Sequence, residues 1–274
     1  MNRSKQFFTR YRLPLFFLLA YLLSWWLLPT GQGLLPQGPA FAALIIIALT
    51  LGRPGLREWW HRLTNLRAGW WYLAGPAILA GGLVVAFVVN ALLGASVSGR
   101  LQLPLEAVII LLIFGGEWEE LGWSGYALPA LQQRYAKAGN GALIATLVLG
   151  IFRGVWHLPL VLVGAIPWYD AVLLTPFVFQ PIISWLYNKT GGSVPAVMVF
   201  HYASNLFSVI VSPVFAGPEK ELYRILYYAF GFLAALVIAW KTQFKFGWRG
   251  DQDQATNGRV VGTNESGRSG AVGF

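Results

Sequence analysis

Apolar runs of about twenty residues recur along this chain, and no other feature restricts its fold as much. A helix of that length rises about 30 Å, the thickness of a bilayer's hydrocarbon core, and satisfies its own backbone polar groups there. Eight such runs can be read, at approximately 13–29, 38–51, 70–94, 105–131, 141–163, 169–187, 193–214 and 222–240. The short alternating segments of a β-barrel are not seen. The expected fold is an all-α polytopic membrane protein with about eight transmembrane helices.

Composition narrows the function classes. Only 11% of the 274 residues are charged, against roughly 25% in a soluble domain, and 56% are hydrophobic. So few charges cannot cover a water-soluble fold of this size, which argues against a soluble enzyme, a disordered chain or a nucleic-acid-binding domain. The absence of cysteine removes disulfides, thiolate nucleophiles, iron–sulfur clusters and thiolate zinc sites.

The net charge of +9 has a topological origin. With the N-terminus cytoplasmic, the inner segments hold 16 of the 20 basic residues, the outer ones hold Arg100, Lys220 and Arg224, and Arg153 alone lies within a span. That asymmetry predicts cytoplasmic N- and C-termini. The first span is long and Trp-rich and lacks a nearby small-residue cleavage site, so it is expected to stay as an anchor. Residues 52–68 mix Arg with Trp and Leu at near-helical spacing and predict an amphipathic helix at the cytoplasmic interface. Residues 1–246 are expected to form the membrane domain and 247–274, polar and Gly-rich, a disordered cytoplasmic tail. The expected location is a bacterial inner membrane, with the lipid bilayer and a protein or peptide substrate as partners and no nucleic acid.

Ionised groups at mid-membrane cost about 2.5–3.5 kcal/mol each on insertion scales, so their positions carry information. Here they concentrate in three runs: Glu117, Glu119 and Glu120 in the fourth, Arg153 and His157 in the fifth, His201 and Asn205 in the seventh. His201 and Asn205 are i, i+4 and share a helix face, as do Arg153 and His157, and Glu120 and Ser124. At 1.5 Å per residue, Glu119, His157 and His201 lie roughly 18, 24 and 12 Å from the cytoplasmic helix ends, close enough to share one cavity.

A carboxylate, two imidazoles and an amide can hold a divalent metal, zinc in first place, through Glu119, His157 and His201. The same set can work without metal, Glu119 taking a proton from water while His and Asn stabilise an oxyanion. Bland readings compete residue by residue. His61 belongs to the surface, Asn205 alone suits a helix–helix hydrogen bond, and Glu117 beside a glycine pair suits structure better than catalysis. Proton- or ion-coupled transport explains the clustering almost as well as hydrolysis does.

Three motifs in order carry a resemblance. Glu119-Glu120-Leu121-Gly122-Trp123, continuing through Gly125-Tyr126 and Leu128-Pro129, is followed by Trp156-His157-Leu158-Pro159 and then by His201-Tyr202-Ala203-Ser204-Asn205. Over about residues 105–210 the chain resembles the CAAX-protease and bacteriocin-processing (CPBP, or Abi) family of intramembrane proteases. The resemblance implies an eight-helix endopeptidase of the kind that removes three C-terminal residues from prenylated proteins. It further implies catalytic roles for Glu119, Glu120, His157, His201 and Asn205. A family member with a non-catalytic immunity or scaffold role is the alternative.

The chain departs from that family twice. Its Glu-Glu-x-x-x-Arg motif ends here in Ser124, and the aromatic expected four residues before the second-motif histidine is Arg153, with Phe152 one place earlier. Glu120 without its arginine would be costly in a low dielectric. Arg153 is therefore expected to supply the missing charge from the neighbouring span. Gly122-Trp123-Ser124-Gly125 also matches the Gly-x-Ser-Gly of rhomboid serine proteases, but a Ser124 nucleophile leaves Glu119, Glu120 and Asn205 without a role.

Overall fold

The computed structural model describes residues 8–31 and 33–250, and they contain helices and turns but no strand. In chain order the helices are α1 (Arg12–Trp25, followed by a 3-10 turn at Leu28–Thr30), α2 (Gly38–Thr50), α3 (Gly52–Leu63), α4 (Trp71–Leu92), α5 (Leu105–Phe114), α6 (Leu128–Arg134) and α7 (Gly141–Leu162). A π-helical segment, Asp170–Phe179, then runs into α8 (Gln180–Lys189), and α9 (Val194–Val211) and α10 (Gly217–Lys241) follow. Most of the tail expected over 247–274 lies outside the described residues.

Six helical stretches among the described residues are long and apolar enough to cross a membrane: Arg12–Thr30, Trp71–Leu92, Gly141–Leu162, Asp170–Lys189, Val194–Val211 and Gly217–Lys241. Of the eight expected, the two that fall outside this group differ from the rest in length or continuity. α2 has 13 residues and rises about 20 Å, short of the hydrocarbon thickness. The run at 105–131 is not one helix. α5 stops at Phe114, Gly115 is extended (φ −73°, ψ 170°), and a 3-10 turn (Gly116–Glu119), one α-turn (Glu120–Gly122) and a π stretch (Trp123–Ala127) precede α6.

The break has a cause in the side chains. Glu117, Glu119 and Glu120 are all buried. In a straight α-helix, at 100° per residue, they would point to different sides and one would meet lipid. The Gly115-Gly116 pair, poor in helix propensity, lets the winding change so that all three turn inward. α3 then supports the irregular stretch: Trp59 Nε1 donates to the Leu121 carbonyl (2.9 Å) and Arg62 Nη1 to the Gly125 carbonyl (3.1 Å). α3 thus lies within the expected basic–aromatic segment, with Trp60 exposed and Trp59 packed inward.

Small residues set the close approaches. Gly122 meets the backbone of Pro39, so α2 backs the glutamate turn. Gly150 and Gly154, one turn apart on α7, admit the segment of Ala171 and Pro176; a Cβ on Gly150 would lie 2.6 Å from the Pro176 Cα. α1 grips the same helix from the other side, Tyr21 donating to the Phe152 carbonyl (2.7 Å) and Trp25 to the Trp156 carbonyl (3.1 Å). Phe17 stacks on Phe152 at 4.1 Å between ring centroids, and Trp123 meets Phe16 edge-on at 5.5 Å.

Hydrogen bonds tie the loops together at each end of the bundle. At one end Arg12 bonds Gln133 (3.3 Å), Asn65 the Gly191 carbonyl (3.2 Å), Ser193 the Asn65 carbonyl (2.6 Å) and Asn188 the Phe246 carbonyl (3.0 Å). At the other the Ser98 amide bonds the Val214 carbonyl (3.0 Å) and Asn90 the Glu219 carbonyl (3.0 Å). The first is the basic end, because the segments rich in Arg and Lys all return to it.

Candidate active site

Glu120 is 0% exposed and has no free oxygen. Its Oε1 accepts from Arg153 Nη2 and lies 2.9 Å from His201 Nδ1, and its Oε2 accepts from the Ser124 hydroxyl. Ser124 itself is fully buried and bonded to this carboxylate one turn away. Arg153 extends the network, reaching Glu119 Oε2 (3.4 Å) and Gln180 Oε1 (3.4 Å), and its Nη2 lies 3.1 Å from His201 Nδ1. A guanidinium offers several donors in a fixed fork, which is how one arginine serves acceptors from three elements.

Glu119 is held on one side only. Its Oε2 accepts from Arg153 and from Trp123 Nε1 (3.3 Å). Its Oε1 faces Gly116 together with His201 Nε2. A Cβ at Gly116 would lie 2.9 Å from Glu119 Oε1 and 2.7 Å from His201 Nε2. Both atoms therefore approach Gly116 more closely than any side chain there would allow, and so lie near one another beside its backbone.

The imidazoles present matching nitrogens. His157 Nδ1 lies 2.8 Å from the Arg153 carbonyl, which can only accept, so this nitrogen carries the proton and Nε2 is left with its lone pair. His201 Nδ1, donating to Glu120 Oε1, leaves Nε2 in the same state. Arg153, His157, His201 and Asn205 line a cavity of about 510 Å³. The structure thus brings Glu119, Glu120, Arg153 and His201 into one hydrogen-bonded cluster and sets His157 and Asn205 on the wall beside it. Glu117 is buried close by, and neither of its carboxylate oxygens has a hydrogen-bond partner among the described residues.

Gln180 and Ser184 belong to the cluster without belonging to any motif. Both are 0% exposed, Gln180 Nε2 donates to Ser184 Oγ (3.2 Å), and Gln180 Oε1 accepts from Arg153. Two polar residues at i, i+4 inside an apolar run are the signal that marks them.

Comparison with known proteins bears on the same segment. Residues 101–207 match the family described as Rce1-like, Type II CAAX prenyl endopeptidase Rce1-like. This segment is homologous to the CAAX protease (CPBP/Abi) family. CAAX prenyl protease 2 of Methanococcus maripaludis is 32% identical to the chain over 109 residues, which cover 36% of the chain and 38% of that protein. The match therefore spans well under half the length of this curated relative, and residues 101–207, matched by the family, hold all three motifs. The positive charge beside Glu120 comes from Arg153, on the helix that carries the second motif.

The ligand set Glu119, His157 and His201 does not assemble as a metal site. Among the described residues no three His, Asp or Glu side chains are grouped to hold an ion. Arg153 gives the physical reason: its guanidinium already touches Glu119, Glu120 and His201, and a divalent cation there would face a buried positive charge.

Proposed function

We propose that the protein is an intramembrane endopeptidase that hydrolyses peptide bonds of membrane-associated proteins or peptides with a water activated by Glu119. The observation that carries this reading is the close approach of Glu119 Oε1 and His201 Nε2 beside Gly116, with His201 also lining a cavity that holds His157 and Asn205. Homology of residues 101–207 to CAAX endopeptidases supports it.

In this mechanism Glu119 and His201 Nε2 accept the two protons of one water in hydrogen bonds and aim its oxygen at the substrate carbonyl. Glu119 takes a proton as the oxygen attacks. The Asn205 amide, a donor on the cavity wall, meets the developing oxyanion. Collapse of the tetrahedral intermediate breaks the C–N bond, and the proton held by Glu119 passes to the departing amine. His157 Nε2 orients water or substrate N–H from the opposite wall. Glu120 acts as a positioning residue, since Arg153, His201 and Ser124 occupy its oxygens.

The test uses the full chain in proteoliposomes with a fluorogenic peptide. Glu119→Gln is expected to lower kcat by about 10²–10⁴-fold, the usual contribution of a general base, with the fold retained. Ser124→Ala is expected to retain turnover. Full activity in Glu119→Gln, or Glu119-dependent solute flux without any peptide cleavage, would overturn the proposal.

A further inference from the structure

The cavity runs in one direction from the site. His201, Ser204, Asn205, Ser208, Val211 and Ser212 all line it, at the three- and four-residue spacing of a single face of α9 and its C-cap. From His201 to Ser212 that face rises about 16 Å, from the middle of the bundle to the end opposite the basic one. There the lining includes Ala165 and Pro167 of the loop after α7, and Lys220 and Arg224 of α10, and both Ala165 and Ser212 are exposed. Toward the basic end the bundle is filled. Trp123, Leu128, Leu186, Val197 and Phe200 are each 0% exposed and belong to one apolar core.

Charge fixes which end faces which compartment. The loops at the closed end carry Arg53, Arg57, Arg67, Lys137, Lys189 and Lys245 among others, and the open end holds Arg100, Lys220 and Arg224. Basic loops stay on the cytoplasmic side. The closed end is therefore cytoplasmic and the open end external.

We propose that the active-site cavity opens to the outer face of the membrane, and that the substrate is an apolar stretch of an exported or membrane-inserted polypeptide presented from that side. A prenylated C-terminus held in the cytoplasm would meet the filled end. The inference rests on the peptidase reading above for the identity of the substrate, and on the geometry of the cavity alone for its side. The mouth suits an extended peptide: the lining holds Leu174, Phe179 and Phe215, and Lys220 and Arg224 near the open end offer N–H donors to the carbonyls of a polypeptide entering from water.

The chain has no cysteine, so one introduced thiol is the only target for a thiol reagent. Ser208→Cys places it on the cavity wall and Lys189→Cys at the closed end, both exposed positions outside the hydrogen-bonded cluster. A quaternary-ammonium methanethiosulfonate, whose charge keeps it from crossing the hydrocarbon core, is added to spheroplasts or to inverted vesicles holding the full chain. Ser208→Cys should react on the order of tenfold faster in spheroplasts and Lys189→Cys on the order of tenfold faster in inverted vesicles, as one charged reagent reaches only one face. A charged fluorogenic peptide should be cleaved by spheroplasts, and labelled Ser208→Cys should lose that cleavage. Faster labelling of Ser208→Cys in inverted vesicles overturns the outward opening, with Ser212→Cys as a second reporter should the first variant fold poorly. Outward labelling with no cleavage even in detergent overturns the peptidase reading and leaves the direction of the cavity standing.

Discussion

Arg153 and Glu120, 33 residues apart in sequence, form a fully buried ion pair between α7 and the turn that follows Gly116–Glu119. The charge that the resemblance leads one to expect at position 124 comes instead from a different helix, and the Ser124 hydroxyl bonds the carboxylate's other oxygen.

Removing one member of the pair leaves a buried, uncompensated charge. Arg153→Gln should therefore destabilise the protein by about 3–5 kcal/mol, read as a fall in Tm in detergent. Combining it with Glu120→Gln should recover part of that loss. Moving the charge back, in Ser124→Arg with Arg153→Phe, should be more stable than Arg153→Phe alone. A double glutamine variant no more stable than either single one would sink the pairing.

Gly116 is needed for its missing side chain. Its φ lies outside the left-handed region, so Gly116→Ala costs the backbone little. The new methyl group would sit between Glu119 Oε1 and His201 Nε2. A kcat lower by about 10²-fold, the scale of a misplacement near 1 Å, is expected, together with a lower Tm because Glu119 and His201 must both give way to the methyl group. An active Gly116→Ala enzyme would show that the reacting water sits elsewhere.

Trp59 connects α3 to the irregular stretch through one N–H. Trp59→Phe keeps most of the ring's packing and removes the donor to the Leu121 carbonyl. The orphaned carbonyl should lower stability by about 1–3 kcal/mol, measured by thermal or denaturant unfolding. Because that carbonyl lies one residue beyond Glu120, activity should fall with it.

Arg153 among the acids and imidazoles bears on cofactor dependence. Peptide cleavage is expected to persist in a chelator strong enough to strip a zinc site, and elemental analysis of the purified protein to return less than one zinc per chain. Loss of activity in chelator with recovery on adding zinc would show that the guanidinium moves aside for the ion.

Much of the site is legible in the sequence because its chemistry is expensive in a membrane. Glu119, Glu120, Arg153, His157, His201 and Asn205 stand out against apolar surroundings, and the i, i+4 spacings show which share a face. Gln180 and Ser184 are equally buried but uncharged, and a neutral amide in an apolar run draws less notice. The interruption at Gly115–Ala127 is harder to foresee. Hydropathy over 105–131 is that of a span, and only the requirement that three neighbouring carboxylates all face inward forces the winding to change. The short α2 reads as a span for the same reason, since its composition is apolar throughout and only its length falls short.

That shortness shapes the surrounding lipid. Phe41, Leu44, Ile45 and Leu49 of α2 are all exposed, so hydrocarbon chains contact a wall only about 20 Å tall on this flank. A bilayer meeting so short an apolar surface thins to match it, at a cost of fractions of a kcal/mol per Å. α2 packs directly on the Glu120–Gly122 turn. Thinning on this flank would bring the membrane surface closest to the turn that carries Glu120, so a polar backbone arriving there would have the least oil to cross.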